Sequence, residues 1–234
     1  MVPAISVSGL RFRYEDGTPA LDGIDFQLRA GETVALFGPN GSGKTTFVLH
    51  LNGLLRGEGK IEVCGLAVRD ENLPAIRRKV GIVFQDSDNQ LFMPTVLEDV
   101  AFGPLNLGLQ AKAAVEKASW ALAHTGIAGI ASKPPYHLSA GEKKRVAIAG
   151  ILVMDPEILV LDEPTTFLDP PARRSLTDLL RRLPQSKILV THDVHFADAL
   201  AQRAVFFDKG RIAGEGSVAE IVCRFDWNPD IGES

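Results

Sequence analysis

Apolar and polar positions fall into short runs whose period changes repeatedly along the chain. Val7 to Tyr14 alternates and carries aromatics, and Leu21 to Leu28 alternates again, so both read as strands. Asp16-Gly17 and Ala30-Gly31-Glu32 mark turns. Thr33-Val34-Ala35-Leu36-Phe37 is a continuous apolar run ending at Gly38, the pattern of a strand buried on both faces of a parallel sheet. Lys44 to Leu51 then reads as a helix with Gly53 as its stop. Lys60 to Cys64 and Val80 to Phe84 are short strands.

In the second half, Ala111, Ala114, Val115, Ala118, Ala121, Leu122 and Thr125 recur at three- and four-residue steps and give a helix one apolar or small face. Glu142 to Met154 is a further helix, with Lys143, Lys144 and Arg145 near its start and Asp155-Pro156 breaking it. Ile158 to Leu161 is a buried strand that ends at Asp162, and Lys187 to Thr191 is a strand that ends at His192. Helices are expected over 172–183 and 194–201, and a hairpin over Asp208-Lys209-Gly210. After Ser217 come one short helix and a polar tail with Trp227 and Pro229. Strands alternating with helices argue an α/β fold with a mainly parallel sheet and helices on both faces. The expectation is a single domain: a β lobe and core over about 1–92 and 155–216, a helical lobe over about 93–154, and a tail over 217–234.

Composition narrows this picture little. Of 234 residues, 45% are hydrophobic and 23% charged, an ordinary globular balance. The net charge of −4 leaves no bulk charge for gripping nucleic acid, and no nucleic-acid partner is expected. Cys64 and Cys223 form no metal-ligand pattern and read as unpaired thiols of a reducing compartment. The N-terminus lacks a basic region followed by an apolar run, so no signal peptide is expected. The longest apolar stretch, Val146 to Met154, is far below the roughly 20 residues that cross a bilayer. A soluble chain is expected, brought to any membrane by a partner.

The chemistry concentrates in two places. Gly38-Pro39-Asn40-Gly41-Ser42-Gly43-Lys44-Thr45 matches G-x-x-x-x-G-K-[ST] between a strand and a helix. Such a loop points backbone N–H groups at phosphate oxygens, and the helix N-terminus adds its dipole. Lys44 is placed to reach the β- and γ-phosphates of ATP, and the Thr45 hydroxyl to ligate Mg²⁺. A plain glycine-rich turn is the alternative. The second place is Asp162-Glu163, two acids ending an apolar strand, where carboxylates are costly unless a cation sits with them. Asp162 suits Mg²⁺, and Glu163 suits a general base for the attacking water; a solvated acidic pair is the alternative. His192 ends a neighbouring strand on the same sheet edge and suits a contact to the γ-phosphate or water. His50, His124, His137 and His195 read as structural.

Leu138-Ser139-Ala140-Gly141-Glu142-Lys143-Lys144-Arg145 resembles the LSGGQ signature of ABC ATPases. With the phosphate loop, Gln85, Asp162-Glu163, Phe167-Leu168-Asp169 and His192, the resemblance runs from about Ile5 to Glu215. It implies a P-loop NTPase fold with a RecA-like parallel-sheet core, an N-terminal antiparallel β lobe and a helical insertion. It implies ATP held by Gly38, Asn40, Gly41, Ser42, Gly43, Lys44, Thr45 and Thr46, with Tyr14 stacked on adenine; a strand-end tyrosine packed on the β lobe is the alternative. It implies Gln85, beside Thr45 and Asp162, as sensor of Mg²⁺ and water. It further implies a head-to-tail dimer in which Ser139, Gly141 and Asp169 meet ATP held by a second ATPase subunit. Two positions depart from the pattern, Ala140 for glycine and Glu142 for glutamine, and a positive φ at position 140 would strain the alanine.

Gln85-Asp86-Ser87-Asp88-Asn89-Gln90-Leu91-Phe92 is similar to the Q-x-x-D-x-Q-x-F stretch of the cobalt-type, energy-coupling-factor ATPases, as is Val146 to Gly150. That similarity implies work at the cytoplasmic face of the membrane with an integral coupling protein and a separate substrate-binding membrane protein, for cobalt, nickel or a vitamin. Phe92, Met93, Pro94 and Leu97 are candidates for the docking groove, or else pack inside the helical lobe. Alternatives are another importer class, or a soluble ABC ATPase of ribosomes or DNA, for which the space between Gln85 and Ser139 is short. A clamp that binds ATP without turnover is disfavoured by Glu163.

Overall fold

A computed structural model describes residues 2–227; the side chains of Asp88 and Asn89 lie outside that description, as does the part of the tail that holds Pro229. In chain order the elements are β1 (Ile5–Arg13), β2 (Pro19–Leu28), β3 (Thr33–Phe37), α1 (Lys44–Leu51), β4 (Glu58–Val63), β5 (Leu66–Ala67), α2 (Leu73–Lys79) and β6 (Val80–Val83). There follow α3 (Val96–Asn106), α4 (Ala111–His124), α5 (Ala140–Leu152), β7 (Ile158–Asp162), α6 (Pro170–Arg182), β8 (Ser186–Val190), α7 (Val194–Leu200), β9 (Arg203–Asp208), β10 (Arg211–Gly216) and α8 (Val218–Arg224).

The alternating runs and the continuous runs separate into two sheets. β1 pairs antiparallel with β2 and β4 in a small sheet ordered β2-β1-β4-β5. The core sheet is ordered β10-β9-β3-β8-β7-β6, parallel throughout except for β10 on β9. Every residue of β3, β7 and β8 is buried, which is why these segments carry no polar alternation. Their register pairs Leu36 with Val190 and Asp162 with Val190, so the three strands end together at one edge.

The helical lobe closes around Val96, Val100, Ala114, Ala118, Leu122 and Val146, with alanines admitting close helix approach. α5 serves two cores at once, because Ala147, Ile148 and Leu152 face the core sheet and α6. Helix starts are set by side chains: Thr95, Ser139, Asp169, Asp193 and Ser217 each accept an amide of the first turn. α5 and α6 therefore begin at Ala140 and Pro170, two residues before the apolar pattern alone suggests. α2 has no counterpart in that pattern, having only Leu73 and Ile76 buried.

Cys64 and Cys223 are free, and burial pushes the Cys64 thiol up to about 11. Among the described residues no helix is long and apolar enough to cross a membrane.

Candidate active site

The loop after β3 and the start of α1 line a cavity of about 1170 Å³ at the edge where β3, β7 and β8 end. Gly38 has φ +135°, and a Cβ there would lie 2.1 Å from the Phe207 carbonyl oxygen, so the loop takes this path only with glycine. Lys44 is 6% exposed, and its Nζ donates to the carbonyls of Gly38 (2.6 Å) and Pro39 (3.0 Å), which holds the cation within the loop's curve. Burial lowers its pKa, opposed by the charges of Glu163 and Asp162. Ser42 Oγ is buried with no partner. Asn40, Gly41, Ser42, Gly43, Thr45 and Thr46 line the cavity with Tyr14. The Tyr14 hydroxyl lies 2.8 Å from Thr46 Oγ1 and its ring meets Phe12 edge-on at 5.0 Å, so a half-exposed ring is fixed at the rim from both ends.

Thr45 Oγ1 donates to Asp162 Oδ2 at 3.0 Å, bringing the expected hydroxyl and carboxylate ligands together. Burial raises the Asp162 pKa. Glu163 follows at the strand end with φ +43°, a strained backbone for a non-glycine residue, anchored by its N–H to the Val190 carbonyl (2.8 Å). Burial pushes its carboxyl up to about 7, with the Asp162 charge adding to the rise. The His192 N–H reaches Glu163 Oε2 at 3.4 Å. His192 Nε2 lies 3.1 Å from Oε1 but off the line of a hydrogen bond, so Oε1 is buried without a donor. Burial lowers the His192 pKa, and Lys44 adds to it. His195, expected to be structural only, also lines this cavity.

Gln85 lines the cavity from the segment after β6. Gln90 plays a structural part, since its Oε1 accepts the Phe84 N–H (2.9 Å) and its Nε2 donates to the Ile82 carbonyl (3.1 Å). β6 is the last strand of the sheet, so this amide closes an open edge and ends the strand at Val83. Sequence reasoning missed Lys144. It is 3% exposed and donates to the carbonyls of Phe84 (3.2 Å) and Gln85 (2.9 Å), tying α5 to the Gln85 segment. Burial lowers its pKa to about 8, opposed by Asp162, Asp86 and Glu163. Its signal was weak, being the middle of three consecutive cations near a helix start.

Ser139, Gly141 and Asp169 do not line the cavity. Ser139 caps α5 in a reciprocal box with Glu142: the Ser139 N–H and hydroxyl both reach Glu142 Oε2 (2.8 and 2.9 Å). The glutamate that departs from the signature thus locks the serine. Ala140 starts the helix and is absent from the positive-φ residues, so the methyl brings no backbone strain. Gly141 is a close approach, since a Cβ there would lie 3.3 Å from Ala172 Cβ on α6. Asp169 caps α6 through the Ala172 N–H (2.8 Å). Beside it, Phe167 is 87% exposed with φ +64°.

A phosphate loop between β3 and α1, with acids ending the nearby strand β7, defines a P-loop nucleoside triphosphatase. Residues 21–166 match the family model described as ABC transporter, and the chain belongs to that family. It is an ATP-binding ATPase of the ABC type with the expected fold of parallel-sheet core, antiparallel β lobe and helical insertion. It is 52% identical over 221 residues to a putative ABC transporter ATP-binding protein of Streptomyces avermitilis, covering 94% of this chain and 84% of that one. It is 49% identical to the energy-coupling factor transporter ATP-binding protein EcfA of Methanothermobacter thermautotrophicus, covering 93% and 72%. The structure of cbiO1 from Clostridium perfringens, described as part of the ABC transporter complex cbiONQ, superposes with a TM-score of 0.87 at 36% identity, covering 97% and 93%. A dimeric ATP-binding cassette in a post-hydrolysis state with ADP and Pi gives 0.81 at 28% identity, covering 92% and 98%.

Proposed function

We propose that this chain is the ATP-hydrolysing subunit of an energy-coupling-factor importer, moving cobalt, nickel or a vitamin. It would work at the cytoplasmic membrane face with a second ATPase subunit, an integral coupling protein and a substrate-binding membrane protein. The observation that carries this reading is the likeness to EcfA and to cbiO1 over nearly the whole chain.

In this reading ATP lies along the cavity with adenine on Tyr14 and its phosphates among the N–H groups of Gly38 to Thr46. The residues fit Mg²⁺: Thr45 and Asp162 are already paired, Gln85 lines the same cavity, and all three offer oxygen. When bound, Mg²⁺ would neutralise charge on the β- and γ-phosphate oxygens. Phosphate oxygens and water would supply its remaining ligands. Glu163 takes a proton from the water that attacks the γ-phosphorus, and its raised pKa suits a base near neutral pH. Lys44 holds the leaving β-phosphate oxygen. His192, beside Glu163, contacts the γ-phosphate or the water. Ser139, Gly141 and Asp169, lying outside the cavity, meet ATP on the second subunit.

Phe92 (63% exposed) stands against Phe102, with Pro94 exposed nearby, and these offer a face for the coupling protein. Asp99 holds that turn by accepting the N–H groups of Phe92 (3.3 Å) and Met93 (3.0 Å). Leu97 turns into the helical core, so the groove is narrower than the sequence suggested. Purification from native membranes tests the reading: integral membrane proteins should co-purify, and labelled Co²⁺, Ni²⁺ or vitamin uptake by the reconstituted complex should require ATP. A purely ribosome-bound cytosolic pool would overturn it.

A further inference from the structure

The segment after α8 reaches the hydrolytic edge. Asp226, with φ +49°, turns the chain back, and the Trp227 N–H donates to the Val222 carbonyl at 2.9 Å. Phe225 stacks flat on Phe206 of β9, with ring centres 4.0 Å apart and 2° between planes. Trp227 meets the same Phe206 ring edge-on at 5.3 Å. Its indole then stacks on the His192 imidazole at 5.6 Å and 27°. α8 itself is fixed at its start by the reciprocal cap of Ser217 and Glu220, and at its side by Val218 and Ile221 in the core under β9. An aromatic ladder thus runs from a capped helix through Phe206 to the His192 imidazole beside Glu163.

We infer that Trp227 is a positioning residue for hydrolysis: its indole holds the His192 ring in the orientation that turns Nε2 toward Glu163. The His192 side chain is 43% exposed, and its ring meets both Glu163, through Nε2, and the Trp227 indole, by stacking. Offset ring stacking restricts rotation of the imidazole without competing for its nitrogens. A ring free to turn would spend less of its time in reach of the γ-phosphate, and loss of orientation lowers kcat more than KM. The inference rests on His192 acting at the γ-phosphate, as proposed above.

A double-mutant cycle tests it by steady-state ATP hydrolysis of the assembled protein. Trp227→Ala should lower kcat about tenfold with KM little changed. Trp227→Phe, which keeps a ring on the ladder, should restore most of the rate. Adding Trp227→Ala to His192→Ala should cost nothing further, because the indole acts through the imidazole. In a Trp120→Phe background Trp227 is the single tryptophan, and its emission should change on His192→Ala whether or not turnover is affected. Full turnover of Trp227→Ala beside a crippled His192→Ala overturns this inference alone, as do additive losses or emission blind to His192→Ala. Full turnover of His192→Ala overturns the reading of His192 beneath it.

Discussion

Lys144 is the residue whose removal separates stability from catalysis. In Lys144→Met a flexible apolar chain replaces a buried cation, and two free-energy terms of opposite sign follow. Holding the ammonium in the interior, where its pKa is about 8 instead of 10.5, costs about 3 kcal/mol at neutral pH, and methionine removes that cost. The carbonyls of Phe84 and Gln85 then lose their donor, at about 1–3 kcal/mol each. The sum lies between about 1 kcal/mol gained and 3 kcal/mol lost, so the melting temperature should shift by about 10 °C at most. Turnover has no such cancellation. The Gln85 backbone is released from α5, and a shift of about 1 Å at a ligand-bearing segment costs roughly 10–10²-fold in kcat. Lys144→Gln, an uncharged donor, should keep most of the rate. Stability carries a second signature. The folded pKa is depressed, so between pH of about 8 and 10.5 the native state has lost a proton that the unfolded chain keeps, and stability rises with pH. That part of the rise should be missing in Lys144→Met when the two proteins are unfolded in urea across this range. Full turnover of Lys144→Met, or a loss matched by its unfolded fraction, would refute the reasoning.

Glu163→Gln should cut turnover by about 10²–10⁴ while ATP still binds. Because burial raises the Glu163 pKa to about 7 and the base works ionised, kcat/KM of the native enzyme should fall as pH drops through about 7; a flat profile there removes it as the base. Glu142→Gln keeps an acceptor for the Ser139 cap and removes a negative charge from the helix start expected to meet the second subunit's ATP. ATP-driven dimerisation should strengthen at low salt and lose that advantage at high salt, and an unchanged association at low salt counts against the head-to-tail geometry. Phe167→Gly relieves a left-handed backbone that costs a bulky residue about 1–2 kcal/mol, so the monomer should be no less stable. If Phe167 is buried between subunits, the same change weakens the ATP-bound dimer in light scattering; equal dimerisation would place the ring outside the interface.

The parts of the fold legible in the chain are those whose physics is local. β3, β7 and β8 are five-residue strands built on apolar runs of three or four residues, with every position buried, and such runs leave few readings open. The capping signals for Ala140 and Pro170 were also present, as Ser139-x-x-Glu142 and as Asp169 before Pro170, and the apolar period alone overlooked them. α2 and β5 are too short to show a period, and only the packing of Leu73 and Ile76 reveals the helix. The edge closed by Gln90 was visible as a motif but not as a function, because a side chain standing in for a strand cannot be seen in a one-dimensional pattern. Lys144 and Trp227 were illegible for one reason: each is defined by what it touches, a carbonyl pair 59 and 60 residues away in one case and His192 in the other.

These placements bear on how a split site would be assembled. α5 is capped by Ser139, the residue expected to meet a partner's ATP, and five residues later Lys144 grips the segment that carries Gln85. A helix is stiff over so short a span, about 7.5 Å at 1.5 Å per residue. Any tilt of the helical lobe that moves Ser139 must therefore also load the Lys144 hydrogen bonds, and through them Gln85, which lines the same cavity as Thr45 and Asp162. The exposed Phe92 turn follows the same segment and is pinned to α3 by Asp99. A partner bearing on Phe92 and a second subunit bearing on Ser139 would thus both act on the Gln85 segment, with no large rearrangement of the sheet. If so, replacing Asp99 with asparagine, which still accepts but carries no charge, should disturb coupling less than alanine does, whereas Lys144→Met should uncouple both inputs together.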